Sequence, residues 1–273
     1  MSIDKFRNPY RFEDFKQLAS DPSLSKYEKI GFPDSYRAGK EEAIFTDIIS
    51  KLQIRNVQGQ ILLDIGPGCS DLPNMIHKYA ISNGCKILLA DSKEMLDSLP
   101  DNQDTTKFIG QFPNDVFDLL ESYQNSIDYI VTYSTLLCVF YDQCIFKFID
   151  AAVLLLKPGG RLLIGDVPNI SKRKRFFSSE AGKQFHKDFM KTDEDPDIQH
   201  LQLEPGYIDD GVIAGILQRY RGFGYDSYLL PQNKTLPFAN RREDILIVRN
   251  YEICHAANEV RHNNYYIKFA CIQ

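Results

Sequence analysis

Between Gln60 and Val167 the chain alternates short apolar runs with stretches of helical period, and that alternation leaves few folds open. The runs "QILLDIG" (60–66), "KILLAD" (86–91), "TKFIGQF" (106–112), "IDYIVTYS" (127–134) and "GRLLIGDV" (160–167) read as strands. Several are continuously apolar, the mark of strands covered on both faces; a sheet with one wet face would alternate instead. The intervening segments 70–83, 92–99, 114–124 and 142–157 read as helices, with Ser70 or Asp71 available to cap the first. Strands that alternate with helices in this way need crossover connections, so the expected core is a mostly parallel sheet with helices on both sides.

The two ends differ from this core. Residues 1–58 carry helical patterns such as "SYRAGKEEAIFTDIISKLQ" but no comparable strand, and read as a helical cap. Residues 59–250 form the main domain, with an insertion near 168–210 that is polar and basic, "SKRKRFFSSEAGKQFHKDFMKTDEDPD". After it, "DDGVIAGILQRYRGFGYDSYLLPQ" reads as a capped helix entering a strand, and "RREDILIVRN" as a last strand. The expected fold is a Rossmann-like doubly wound α/β sheet of about seven strands, mostly parallel with an antiparallel last strand. The extension 251–273 has weak alternation around "YYIKFACI" and no assigned role.

With 273 residues, 43% of them hydrophobic, the chain can bury a large core. A net charge of -5 argues against nucleic acid as the main partner. No apolar run reaches the ~18 residues of a membrane span, and the N-terminus lacks the apolar core of a signal peptide. The expectation is a cytoplasmic protein with a small-molecule partner and no membrane contact, homo-oligomerisation being left open. Six cysteines with no CxxC pair support neither a disulfide framework nor a zinc site, so no metal is expected.

The turn "ILLDIGPGCSDLP" (61–73) carries the chemistry. In a doubly wound sheet the ligand sits beyond the carboxyl ends of the strands, and the first strand-to-helix turn is its floor. Gly66 and Gly68 let backbone approach a ligand closely. A dinucleotide fingerprint would place a third glycine where Asp71 stands. Asp64, at the end of the first strand, would repel a pyrophosphate but attract a cation. Asp91, at the end of the second, suits the two hydroxyls of a ribose. A nucleoside with a positive charge and no phosphate satisfies all of these, and S-adenosylmethionine is such a ligand.

At these residues the chain resembles the class I S-adenosylmethionine-dependent methyltransferases, over roughly residues 59–170. "LLDIGPGCS" is similar to the family's first motif, with Ser70 in place of the third glycine. "LLADSKEML" resembles the second motif, "FIGQFPND" stands in the place of the third, "IDYIVTYSTLLCVF" resembles the fourth and "LLLKPGGRLLIGD" the fifth. The resemblance implies a cofactor site of Asp64, Gly66 and Gly68, of Asp91 and Ser92 at the ribose, of Gln111 and Phe112 at the adenine, and of Tyr133. Each has a plainer reading: Asp64 as a turn cap, Asp91 as a helix cap, Gln111 as a loop residue, Tyr133 and Ser134 as packing at a strand end.

Methyl transfer is an in-line displacement, so positioning dominates, and an alcohol acceptor also needs a base. The "NPPY"-like signature for base amino groups is missing, since the fourth strand ends "TYST". Asp166 and Asn169 are separated, which weakens a metal-assisted catechol-type site. Asp166 and His186 are the candidate catalytic residues. His186 has the plainer reading of an ordinary helix residue, and His77 reads as structural. Lys172, Arg173, Lys174 and Arg175 are candidates for binding an acceptor with phosphate or carboxylate, or else a solvated face. The stretch 166–190 with "SKYEKIGFPDSYRAGKEE" also resembles, more faintly, bacterial methyltransferases of surface-polysaccharide loci, including the O-methyl phosphoramidate type. The expected activity is methyl transfer to an oxygen of a sugar or phosphorylated sugar. The alternatives are a noncatalytic cofactor-binding module, a nucleotide-dependent oxidoreductase and a nucleic-acid methyltransferase.

Overall fold

Strand β1 (Gln60–Ile65) lies inside a sheet of seven strands, and its two faces enter two separate cores. Leu63 and Ile65 pack into one core, Leu62 into the other, and all three are buried. This two-sided burial is the physical reason that the run is apolar without alternation. The computed structural model describes residues 11–202 and 204–251. Its other strands are β2 (Cys85–Asp91), β3 (Thr105–Ile109), β4 (Ile127–Tyr133), β5 (Leu156–Pro168), β6 (Tyr225–Pro231) and β7 (Arg242–Arg249).

The strand order is β3-β2-β1-β4-β5-β7-β6. β1 to β5 pair in parallel, and β7 runs antiparallel to both neighbours, β5 and β6. The Rossmann-like doubly wound sheet expected from the sequence is therefore present. The order reverses between β1 and β4, so the crevice for a ligand lies beyond Ile65 and Tyr133.

The helices are α1 (Phe12–Ser20), α2 (Asp34–Arg37), α3 (Glu41–Leu52), α4 (Asp71–Ser82), α5 (Lys93–Leu96), α6 (Phe117–Ser122), α7 (Leu136–Asp142), α8 (Ile145–Leu155), α9 (Ile170–Phe177), α10 (Glu180–Met190) and α11 (Asp210–Gly222). α3 and α4 cover the Leu62 face through Ile44, Ile48, Leu52, Ile76 and Ala80. α8 and α11 cover the other through Phe148, Ile149, Ala152, Ile213, Ile216 and Tyr220. A fully buried aliphatic side chain of this kind contributes about 1.5–3 kcal/mol, so these contacts outweigh the modest helix propensity of their β-branched residues.

Three expectations are corrected. The helix read over 142–157 is shorter, Ile145–Leu155 (α8), and a separate helix that the sequence did not announce, α7, precedes it, with Gln143 extended between the two. The third strand stops at Ile109: Gly110 takes φ +145° and its N–H bonds to Asp91 O, which turns Gln111 and Phe112 out of the sheet toward the crevice. β5 begins earlier than expected, at Leu156, and takes in the "KPGG" segment as an irregularity of its pairing with β4. The basic insertion folds into α9 and α10, capped by the side chains of Asn169 and Ser179.

Candidate functional site

The floor of the crevice is the turn between β1 and α4. Gly66 and Gly68 both have φ +69°, a region that only glycine occupies at little cost. A Cβ on Gly66 would stand 2.9 Å from Thr135 Oγ1, and one on Gly68 would stand 2.8 Å from Ile30 Cγ2. The glycines thus let the turn pass close under the β4–α7 connection and the N-terminal cap while their backbone lines the cleft. Ser70, in the third glycine's place, caps α4 by accepting from Leu72 N–H at 3.4 Å.

Asp64 is buried at the end of β1, and its Oδ2 is 2.9 Å from His77 Nε2 on α4. His77, read as structural from the sequence, is the residue that orients the acid of the first motif. Asp91 ends β2 with both carboxylate oxygens fixed by backbone donors: Gly68 N–H to Oδ2 at 3.1 Å and Ser92 N–H to Oδ1 at 2.7 Å. Burial pushes the Asp91 carboxyl up to about 6, against the pull of those two N–H groups, and the charges of Asp64 and Glu94 add to the rise. Ser92 does not line the cleft; its hydroxyl caps α5 through Met95 N–H at 3.3 Å.

Gln111 and Phe112 form the next wall. Gln111 Nε2 donates to Asp142 Oδ2 at 2.6 Å, and the same oxygen accepts from Phe12 N–H at 3.2 Å. Asp142 therefore ties the β3 loop to the start of α1, whose Phe12 and Phe15 line the cleft. Phe112 is buried edge-on against Phe148, ring centroids 5.3 Å apart. Together these residues enclose a cleft of about 1010 Å³, its open mouth included. Asp64, Gly66, Gly68, Asp91, Gln111, Phe112 and Tyr133 all line it.

At the other end stand Arg37, Tyr133 and Ser134. Arg37 Nη2 donates to Ser134 Oγ at 2.6 Å, and Ser134 Oγ donates to Asp166 Oδ2 at 2.5 Å. Arg242 Nη1 also donates to that oxygen at 2.7 Å, and Gln232 Nε2 to Asp166 Oδ1 at 3.3 Å. Behind Asp166, Asp244 accepts from Asp166 N–H at 2.8 Å and from Lys51 Nζ at 2.6 Å, and Lys51 also reaches Asp47 at 2.5 Å. Burial holds the Tyr133 phenol well above its usual range, with Asp166 and Asp244 adding to the effect, so the phenol stays protonated.

Asp166 is buried behind Ser134, outside the cleft lining, with its lone pairs engaged by four donor side chains or pairs. That geometry suits positioning of Ser134 and Arg37 more than proton abstraction. His186 is not among the cleft residues; its ring packs edge-on against Phe177 at 6.2 Å. Of the basic run, Lys172 bonds to Arg242 O at 2.8 Å and faces Glu243, Lys174 pairs with Glu204 at 2.7 Å, and Arg175 pairs with Asp210. Arg173 alone of the run has no ion pair among the described residues; its guanidinium lies 5.3 Å from the Phe177 centroid.

Arg37, Phe32, Asp142 and His77 stand at the cleft or against its acid without being singled out by the sequence. Arg37 lies in a four-residue helix of a polar cap, a pattern that ordinarily marks solvent-facing charge. A faint signal existed only for His77, which is spaced to face the strand from the first turns of α4.

No protein-family model and no curated protein matches this chain. Solved structures do. The methyltransferase in complex with the Haloferax volcanii Trm112 methyltransferase activator is 13% identical, with 87% of this chain and 98% of that one aligned at a TM-score of 0.53. The plantazolicin methyltransferase BpumL, solved with a triazolic desmethylPZN analog and SAH, is 13% identical over 88% of this chain and 99% of that one, TM-score 0.53. The CurJ carbon methyltransferase is 14% identical over 88% and 65%, TM-score 0.51. Identity this low speaks to architecture alone, and on strand order, reversed β7 and overall likeness this chain has the fold of the class I S-adenosylmethionine-dependent methyltransferases.

Proposed function

We propose that the protein transfers the methyl group of S-adenosylmethionine to an oxygen of a small polar acceptor, a sugar or phosphorylated sugar derivative. The observation that carries this reading is Asp91: a carboxylate at the end of β2, held from behind by two backbone N–H groups and turned to the cleft beside a glycine turn. Such a group takes paired hydroxyls and repels phosphate. Asp64, steadied by His77, adds a second negative charge that suits an ammonium or sulfonium and disfavours a dinucleotide. Phe112 and Phe15 give the cleft apolar walls that fit a purine face.

Bound there, S-adenosylmethionine supplies an electrophilic methyl whose displacement leaves a neutral thioether. The chain's own part is to orient and to exclude water. Arg37 and Ser134, locked by Asp166, fix the polar end of the cleft, and α1 closes the adenine end through Asp142. Among the described residues the cleft lining holds no histidine, and its two carboxylates, Asp64 and Asp91, are both engaged. An acceptor oxygen that arrives deprotonated needs no base, and this favours methylation of a phosphate oxygen of the acceptor over a sugar hydroxyl. The loop resemblance to enzymes of surface-polysaccharide loci is the support for placing the reaction in that biosynthesis.

The test is release of S-adenosylhomocysteine with panels of phosphorylated and unphosphorylated sugars. Turnover with a phosphorylated sugar supports the reading. Turnover confined to peptides or nucleic acid would overturn the acceptor class.

A further inference from the structure

Beside the cofactor cleft lies a group of side chains whose charges do not balance. The buried network behind Ser134 is matched: Asp47, Asp166 and Asp244 face Lys51, Arg37 and Arg242. Arg241, the neighbour of Arg242, has no such partner among the described residues. Its one side-chain hydrogen bond among the described residues goes to Asn240 Oδ1 at 3.3 Å. Its guanidinium is instead packed among aromatic rings, 4.7 Å from the centroid of Phe238, 5.8 Å from Phe185 and 6.0 Å from Phe177. Arg173, without an ion pair among the described residues, covers the same Phe177 ring.

We infer that Arg241, with Arg173, is the receptor for a phosphate or carboxylate carried by the methyl acceptor. Arg241 is half-buried among these rings without a counter-charge, so it is less well solvated than a free guanidinium, and an entering anion offsets that loss. Burial lowers the Arg241 guanidinium to about 10, and the charges of Arg242 and Arg173 push it the same way. Rings stacked on a guanidinium leave its in-plane N–H fork for bidentate contact with an oxyanion. The cluster also adjoins the cleft. Phe238 stacks on Phe32 at 6.4 Å, and Phe32 lines the cleft beneath Arg37, 4.4 Å from its guanidinium. The basic run singled out in the sequence contributes only Arg173, since local acids take up the other three.

This inference rests on the methyltransferase reading, and the experiment separates the two. Binding of S-adenosylhomocysteine is measured first by calorimetry; its absence would defeat the reading of the cleft whatever the anions do. The loaded protein is then titrated with inorganic phosphate and, separately, acetate, against chloride at equal ionic strength. One of the two anions should raise the melting temperature by about 2 °C or more beyond chloride, as site binding does. Which anion does so identifies the acceptor's group. Arg241→Gln should lose that shift, Arg241→Lys should keep part of it, and Arg173→Gln should reduce it. Without phosphate or acetate, Arg241→Gln should melt no lower than the parent, because it removes an unmatched charge. No anion-specific shift in the parent, or a shift that survives Arg241→Gln, would overturn the proposal.

Discussion

His77 Nε2 lies 2.9 Å from Asp64 Oδ2, so α4 holds the acid that precedes its own glycine turn. The pair is buried on both sides. Removing the partner leaves a carboxylate out of water with no donor, a change that costs about 1–3 kcal/mol. His77→Ala should therefore lower stability by that order and weaken S-adenosylmethionine binding, and His77→Gln, which restores a donor, should recover part of both. Chemical denaturation and calorimetry on the two variants check this; equal losses in both would show that the histidine matters only for packing.

Asp91 gives the cofactor site a pH dependence with a definite sign. Its carboxyl is raised by burial to about 6 in the free protein. Paired hydroxyls need the ionised form as acceptor, so cofactor affinity should fall as pH drops through about 6, and binding near that pH should release a proton. Stability of the free protein runs the other way. The folded-state pKa lies above the unfolded one, so the ionised group weighs against folding at higher pH, and the penalty is relieved as pH falls from about 6 toward 4. Asp91→Asn should flatten both profiles, and Asp91→Ala should weaken binding by ~1–3 kcal/mol. Affinity flat from pH 5 to 8 in the parent would place the ribose elsewhere.

How far the sequence carries is seen in particular elements. β1, β2 and α11 announce themselves by unbroken apolar runs or strong caps, because their burial is decided locally by the sheet they enter. α7 is not legible, since "LLCVF" after "TYST" reads equally as strand end, and only the extended Gln143 divides it from α8. The candidate cofactor residues Asp64, Asp91 and Tyr133 are legible because each stands at the end of an apolar run that reads as a strand. The Arg37–Ser134–Asp166–Arg242 network is not: its members come from the cap and from three strand ends and meet only in the folded sheet. The same distance in sequence hides Arg241, which looks like a strand-start charge until its rings are assembled around it.

The network behind Ser134 should behave as a support and not as a base. Asp166→Ala strands the buried Arg37 and the half-buried Arg242 and should cost about 3–5 kcal/mol of stability. Asp166→Asn, which keeps one acceptor oxygen, should be milder and should leave no lost limb in the pH profile of turnover. His186→Ala should reduce stability slightly through its contact with Phe177 and leave turnover within a few-fold of the parent. A fall of roughly 10² or more in kcat for either residue, with a lost pH limb, would instead make that residue the general base.

Gly66 offers a steric test. A methyl group there meets Thr135 Oγ1 at 2.9 Å and must also sit at φ +69°, a strain of order 1–3 kcal/mol. Gly66→Ala should lower both stability and cofactor affinity, and Gly66→Val should abolish binding. Thr135→Ala combined with Gly66→Ala should return part of the loss, because it clears the contact but not the backbone strain. A double variant no better than the single one, by thermal melting, would mean that the strain alone decides.

The most direct measurement is calorimetric titration of the protein with S-adenosylmethionine and, in parallel, with a nicotinamide dinucleotide. Asp64 and Asp91 beside the glycine turn should give saturable one-to-one binding of S-adenosylmethionine, weakened at least fivefold in Asp91→Ala, and no binding of the dinucleotide. Tighter binding of the dinucleotide, or S-adenosylmethionine affinity unchanged in Asp91→Ala, would contradict the assignment of the cleft.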